Sequence, residues 1–262
     1  MNSVNTNVGA LVALQNLNST NSQLATVQSH INTGLKIASA KDNGAVWAIA
    51  QNQRATSSAL DSVKDSLQRG ISTVDVAISA GSTVSDLLTQ MKAKALAAAD
   101  TSLDTNSRSA LNEDFKALRD QISKTVANAD FNGVNLVKGT GASSIAALAN
   151  ADATSKITVN SQDLSLTSTN LAAIGANASI GTIATASAMI TSMNTAIANV
   201  STALSKLGTG SKALSQHLDF VGKLQDSIDA GVALKPERAG VLVTPGRPHA
   251  SADGASPRPP FA

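Results

Sequence analysis

The chain has few of the residues that usually fill a thick globular core. Its 262 residues include no tyrosine, and aromatic side chains make up 2% of the sequence. Large rings normally fill the irregular gaps of a wide core. A chain with so few of them is better suited to burying narrow seams of Leu, Ile, Val and Ala between helices. The composition therefore favours long paired helices over a thick globule.

Cysteine is also absent, and neither sign of charge dominates. The lack of cysteine excludes a disulfide framework, thiolate zinc sites and thiol catalysis. The 20 basic and 18 acidic residues give a net charge of +2 and are dispersed, with no Lys/Arg cluster. We therefore expect no nucleic-acid partner. The N-terminus has no early basic residue and no long apolar run, so we expect neither a cleavable signal peptide nor membrane insertion.

Patterns that would support catalysis or metal binding are missing as well. Asp42 beside Lys41 has no nearby nucleophile or cofactor site, so a solvated or interface role is the simpler interpretation. The GTGSK run at 208–212 lacks the preceding strand and the full spacing of a phosphate loop. The three histidines are scattered, at His30, His217 and His249. We predict no catalytic residue, no metal site and no cofactor, and hence no enzyme.

Long apolar stripes are what the sequence has instead. Apolar and small residues repeat in heptads from about residue 60 to residue 98. A second stripe, in alternating steps of three and four, runs from Ile183 to Ile228 without a proline. Stripes of this length predict a coiled coil. The predicted core residues are Leu60, Val63, Leu67, Val74 and Leu88 in the first stripe and Ile190, Met193, Ile197, Val200, Leu204 and Leu207 in the second.

Two shorter helices are predicted around the first stripe. One spans roughly Asn106 to Ala129, with Asn106 and Ser107 as N-cap candidates. The other lies near the N-terminus, and its apolar residues have no evident partner within one subunit. We therefore predict that they form a subunit interface. These interface residues are Leu11, Leu14, Leu17, Leu24, Val27 and Ile31.

The middle and the end of the chain differ from these helices. Lys156–Ser168 alternates apolar and polar residues around a polar turn, with Ile157 and Val159 before the turn and Leu164 and Leu166 after it, which predicts a small β-hairpin. All six prolines lie at or after Pro236, so no helix should continue there and the tail should be disordered.

The predicted fold is all-α, a long antiparallel coiled-coil bundle with a small β-hairpin insertion. The expected segments are an N-terminal helix at 1–40, a coiled-coil segment at 41–140, the insertion at 141–180, a second coiled-coil helix at 181–232 and the tail at 233–262.

Two motifs resemble those of the bacterial flagellins. Residues 33–50 match the N-terminal flagellin pattern in order and spacing, with T-G-L-K-I-A-S-A-K-D followed by A-I-A. Residues 131–139, F-N-G-V-N-L-V-K-G, match a second flagellin pattern. The helix from Ile183 to Ile228 is similar to the C-terminal helix of the same fold. The motif residues are Asp42, Ala48, Ile49, Phe131, Asn132 and Gly133.

The resemblance implies a structural subunit of the flagellar filament that self-assembles for swimming motility. Its location would be extracellular, reached through the flagellar type III export apparatus. The implied partners are other flagellin subunits, hook-associated and cap proteins, and a flagellin export chaperone. A cytoplasmic helical signalling or binding module is an alternative, but it would need a membrane span or a glutamate-rich methylation pattern, and neither is visible.

The tail departs from the family pattern. Flagellins continue past the long C-terminal helix into an acidic turn and another apolar helix, whereas here a Pro/Arg-rich stretch follows Val232. A truncated or frameshifted flagellin is therefore an alternative, and impaired polymerisation is the expectation. The same departure argues against the export chaperone as a partner, because that chaperone grips the C-terminal segment in the family.

Overall fold

The structure, a computed structural model, describes residues 7–35, 37–139, 144–175 and 177–232. The predicted disordered tail at 233–262 lies outside the described residues. Four helices and one hairpin make up the described part of the chain, together with a single 3₁₀ turn at Ala172–Ile174. The helices are α1 (Val8–Thr33), α2 (Gly44–Ala98), α3 (Thr105–Ala127) and α4 (Ile183–Val232), and the strands are β1 (Ile145–Leu148) and β2 (Lys156–Val159). The prediction of an all-α bundle with a small hairpin is confirmed.

The two long helices, α2 and α4, pair in antiparallel fashion. Ser57 Oγ donates to Asp229 Oδ1 over 2.7 Å at one level, and Ser211 Oγ donates to Asp75 Oδ1 over 3.4 Å at another. A small residue lets the helices approach closely beyond the second level. A Cβ built on Gly81 would come within 2.7 Å of Leu204 Cδ2, so the leucine occupies the space beside the glycine. The heptad pattern thus folds into one continuous seam.

Most of the predicted coiled-coil residues lie inside this seam. Ile190, Ile197 and Leu204 are partly buried and pack against it. The fully or nearly fully buried members are Leu60, Val63, Leu67, Val74, Leu88, Met193, Val200 and Leu207.

The third helix folds back along the end of α2. Lys94 Nζ and Asp114 Oδ2 form a salt bridge of 2.6 Å between them. The start of α3 is capped by Asp104, whose carboxylate accepts from the N–H groups of Asn106 and Ser107. Aspartate is a strong N-cap because its side chain satisfies the free donors of the first turn. The prediction of Asn106 or Ser107 as the cap was wrong by two or three positions.

A β-hairpin forms, but the prediction named the wrong partner strand. β2 contains the predicted Ile157 and Val159, and it pairs antiparallel with β1, with Ile145 opposite Val159. Leu164 and Leu166 lie outside the strands. The Leu164 N–H donates to the carbonyl oxygen of Val137 over 2.9 Å, which ties this segment to the turn after α3. Their alternation therefore reflects packing of a loop on the core.

By internal contacts the chain forms two compact units. Asn52–Asp229 is one unit, and it contains the coiled-coil seam, α3 and the hairpin. The described residues before and after it, which include α1, belong to the second. Within the part of the chain that the structure describes, no helix is long and apolar enough to cross a membrane.

Candidate assembly interface

The first helix exposes all of its apolar side chains. α1 spans Val8–Thr33, and none of its residues is buried. Leu14 is 55% exposed and Ile31 is 73% exposed, whereas the leucines of the seam are below 5% in most cases. The six predicted interface residues, Leu11, Leu14, Leu17, Leu24, Val27 and Ile31, therefore all lie on one helix with no apolar cover in the described structure. Val8 and Val12 extend this surface at the helix start.

The exposed apolar side chains do not form one straight stripe. An α-helix advances by roughly 100° per residue. On that geometry Leu11 and Ile31 lie about 160° apart around the axis. The apolar surface of the first half of α1 thus faces a different direction from that of the second half. A single straight partner helix cannot cover both directions, so full burial of α1 requires partners on more than one side.

None of the 26 residues of α1 is Asp, Glu, Lys or Arg. Its polar side chains are Asn, Gln, Ser, Thr and one histidine. Several hydroxyls are satisfied within the helix: Thr26 Oγ1, for example, donates to the carbonyl of Ser22 over 3.0 Å. A helix with this surface can pack beside identical helices without bringing like charges together.

Local sequence fixes both ends of α1. Asn7 caps its start, with its side-chain oxygen accepting from the Ala10 N–H over 3.1 Å. Gly34 ends the helix in the left-handed conformation, with φ 66°. Glycine suits this position because it has no Cβ to clash.

The motif residue Asp42 organises the turn that follows. Its Oδ2 accepts hydrogen bonds from the Ala38 N–H (3.0 Å) and the Ser39 N–H (2.9 Å). The Ser39 N–H is the main cause that lowers the pKa of the Asp42 carboxyl from its ordinary value. Asp42 therefore acts in local structure and forms no acid–base pair with Lys41. Ala48 and Ile49, the other residues of this motif, are exposed on the first turns of α2.

The second motif forms a tight turn after α3. The N–H groups of Phe131 and Val134 each donate to the other residue's carbonyl, both over 3.0 Å. Asn132 and Gly133 between them have positive φ, at 50° and 77°. Asn-Gly is the preferred pair for such a turn. This motif therefore has a structural explanation within its own unit.

Sequence reasoning missed one further surface residue pair and several buried polar groups. Phe220 and Leu224 on α4 are 55% and 38% exposed. They lie one turn apart, outside the heptad stripe, and that off-stripe position is the signal that could have identified them. The buried Arg108, Asn112 and Asn135 gave no such signal. Their partners are mostly backbone groups of the connections between elements, which no sequence spacing identifies. Among the described residues no cluster of His, Cys, Asp and Glu could hold a metal ion.

A long helical pair and an uncharged helix with exposed apolar residues are typical of structural proteins. The family model of the bacterial flagellin N-terminal helical region matches residues 4–142. The chain belongs to the bacterial flagellins and is a structural subunit of the flagellar filament, not an enzyme. Members of this family polymerise with other flagellin subunits into the extracellular filament.

Relatives from several bacteria support this membership. The chain is 55% identical to flagellin FljK of Caulobacter vibrioides over 232 residues, which is 88% of this chain and 83% of the relative. It is 56% identical to flagellin FljM of the same organism over the same length and shares. It is 32% identical to a flagellin of Brucella melitensis over 239 residues, covering 88% of this chain and 84% of the relative.

Two solved structures share the fold. Bacillus cereus flagellin superposes with a TM-score of 0.53 at 20% identity, over 60% of this chain and 88% of that one. A putative flagellar hook-associated protein from Vibrio parahaemolyticus superposes with a TM-score of 0.62 at 16% identity, over 74% of this chain and 99% of that one.

Proposed function

We propose that α1 is the surface through which subunits of this protein assemble into the filament. The observation that carries the proposal is that every large apolar side chain of α1 is exposed while those of the seam are buried. Exposed apolar surface of this extent marks an interaction site. The interface residues are those predicted from the sequence: Leu11, Leu14, Leu17, Leu24, Val27 and Ile31.

Other flagellin subunits are the partners that fit this surface. Because the apolar residues wind around α1, each helix would contact more than one neighbour. Because the surface lacks charged residues, identical helices can surround one another without repulsion. Burying a leucine side chain contributes roughly 1.5 to 3 kcal/mol, so a set of six such residues gives a strong driving force once several neighbours are present.

The proposal also includes three further protein partners and a route of export. Hook-associated and cap proteins would contact the ends of the filament, and the fold shared with a putative hook-associated protein supports this idea. Export would use the flagellar type III apparatus. An export chaperone is the least supported of the three, because the Pro/Arg-rich stretch after Val232 stands where the family has the segment that this chaperone grips. A pull-down from cells with the full-length chain as bait tests for it.

The assembly proposal is tested by polymerisation of the full chain on preformed filament seeds, measured by sedimentation and negative-stain imaging. Leu24→Glu places a charge on the apolar surface and should raise the critical concentration on the order of a hundredfold, from loss of one buried leucine and burial of a charge. Leu24→Met is the matched control, because it changes the same position but keeps an apolar side chain of similar volume. Equal growth of the two variants would refute the interface. Failure of the unaltered chain to pellet at any concentration would refute its assembly competence.

A further inference from the structure

We propose that Phe220 of one subunit inserts into a hollow on the surface of a second copy, beside the end of α3. This inference rests on the proposed assembly and adds a second contact to it. Phe220 belongs to the unit Asn52–Asp229, and so does the hollow. The contact is therefore separate from the interface on α1.

The projecting part of the contact is a small apolar ridge on α4. Phe220 is 55% exposed although Val221, the next residue, is 1% exposed and faces the seam. The ring of His217 lies 5.6 Å from the ring of Phe220, measured between centroids, and covers one side of it. His217 is itself held by a 2.7 Å hydrogen bond between Nε2 and the carbonyl oxygen of Ala149. The phenyl ring is thus supported from one side, and it remains 55% exposed among the residues that the structure describes.

The receiving part is a hollow of about 210 Å³ between α3 and the loop that follows β2. Its apolar walls come from Val126, Ala127 and Leu166, and Ser123, Ser165, Thr167 and Lys138 complete the lining. An apolar cavity of about 150 Å³ is large enough to hold a benzene ring. The hollow therefore has room for the ring of a phenylalanine.

Charge favours the same pairing. Asp219 precedes Phe220 and Lys138 lines the hollow, and both side chains are exposed. Neither forms a salt bridge with another described side chain. Insertion of Phe220 would bring the carboxylate toward the ammonium group, and a pair at the rim of an interface sets orientation more than affinity.

We assign a second copy of the chain as the partner, because the exposed Phe220 ring and the hollow lie on different surfaces of the same molecule. A knob that fits a hollow elsewhere on the same molecule produces a head-to-tail contact, which repeats along a polymer without closing. That symmetry is the one a filament needs. A second hollow, lined by Arg69, Phe131 and Asn132, has a volume of about 250 Å³ but a more polar wall. It is the competing site in the test.

The absence of cysteine from the whole sequence allows a direct test. Two single-cysteine chains, Phe220→Cys and Ala127→Cys, are mixed under seeding conditions and allowed to oxidise. A mixed disulfide between two different chains forms only if residue 220 of one copy reaches residue 127 of another. Phe220→Cys mixed with Asn132→Cys is the matched control for the competing hollow. Mass spectrometry of the gel bands identifies each linked pair.

We expect the mixed disulfide between positions 220 and 127 to exceed the control by about tenfold or more, as for a residue buried at the centre of an interface. A dominant 220–132 link, a dominant 220–220 link, or no mixed link in either the pellet or concentrated soluble protein would overturn the proposal. If the chains pellet without the 220–127 link, the contact is wrong while assembly through α1 stands.

Charge exchange provides an independent measurement. Asp219→Lys and Lys138→Asp should each slow seeded growth several-fold, and the double variant should recover most of the loss, because rim charges act mainly on the rate of association. No recovery in the double variant would contradict the assigned pairing of Asp219 with Lys138.

Discussion

Arg108 on α3 donates a hydrogen bond from Nε to the carbonyl oxygen of Ala98, the last residue of α2, over 2.8 Å. Its guanidinium group also donates to the carbonyls of Asp100 and Leu103, over 2.8 and 3.1 Å. The last carbonyls of a helix have no partners within the helix. One buried cation therefore closes the C-terminal end of α2 and holds the connection to α3.

Replacing this arginine should destabilise the coiled-coil unit. Arg108 is 7% exposed, so Arg108→Leu leaves the buried Ala98 carbonyl without this donor and removes two partly buried hydrogen bonds as well. We expect the free energy of unfolding to fall by about 3 kcal/mol, from the loss of hydrogen bonds to a charged donor. Urea unfolding followed by circular dichroism measures the change. Arg69→Leu, at an exposed position of α2, is the control, and an equal effect of both variants would contradict the capping role.

Replacing each of the two glycines of the GTGSK segment with alanine should change the stability of the fold in opposite directions. Both lie within the uninterrupted helix α4. A Cβ on Gly208 meets nothing within 4 Å, so Gly208→Ala should stabilise the helix by about 1 kcal/mol. A Cβ on Gly210 would lie 2.7 Å from Cγ1 and 2.9 Å from Cγ2 of Val159, so Gly210→Ala should destabilise it by about 1 to 3 kcal/mol.

Thermal unfolding of the two glycine variants, run side by side, tests this contrast. The melting temperature should rise for Gly208→Ala and fall for Gly210→Ala. A rise for both would mean that β2 moves away from α4 without cost.

The cap of α3 should make stability depend on pH in the acidic range. The Ser107 hydroxyl, followed by the N–H groups of Ser107 and Asn106, lowers the pKa of the Asp104 carboxyl from its ordinary value. A carboxyl whose pKa is lowered in the folded state stabilises the fold at pH values above its ordinary pKa, about 3.9. This contribution is lost as the pH falls through the lower pKa of the folded state. Stability should therefore decrease on acidification below about pH 4.

The Asp104→Asn variant isolates this effect. Asparagine keeps a side-chain acceptor for the cap but does not titrate in this range. Urea unfolding at a series of acidic pH values should show a shallower pH dependence for the variant than for the unaltered chain. Identical slopes would show that Asp104 does not contribute to the acid response.

Asn112 should control the order of the segment that leads into α4. Its Oδ1 accepts from Ser179 Oγ (2.9 Å) and from the Ile180 N–H (2.8 Å). Asn112→Leu removes the acceptor, so hydrogen exchange of the Ile180 amide should speed up by on the order of tenfold, the equivalent of one buried hydrogen bond. Asn112→Asp keeps an acceptor oxygen and should retain more protection. Unchanged exchange in Asn112→Leu would contradict this role.

The parts of the fold that repeat in sequence were predictable. The seam of α2 and α4 followed from two stripes, one containing Leu67 and the other Leu207, and both residues are fully buried. The exposed surface of α1 also followed, because a stripe such as that of Leu24 and Ile31 had no complementary stripe left to pair with. The change of direction from Leu11 to Ile31 was not predicted, because the six residues were predicted as a single interface.

The parts that depend on distant backbone groups were not predictable. β1 has the sequence IAAL, with no alternation of polar and apolar residues, and its pairing with β2 decides that it is a strand. Leu164 and Leu166 alternate like a strand, yet they pack as a loop. The capping by Arg108 depends on the carbonyls of the preceding helix end, and no spacing rule connects them. The hollow that receives Phe220 in the proposed contact combines α3 with a loop about 40 residues further along the chain.

The uncharged surface of α1 has a consequence for the conditions under which the protein works. Dissolved salt weakens contacts between exposed charges by screening them. A helix of 26 residues without Asp, Glu, Lys or Arg has no such contacts to lose. Salt also strengthens apolar burial when its ions are excluded from the protein surface. Assembly through α1 should therefore be no weaker in brine than in dilute fresh water.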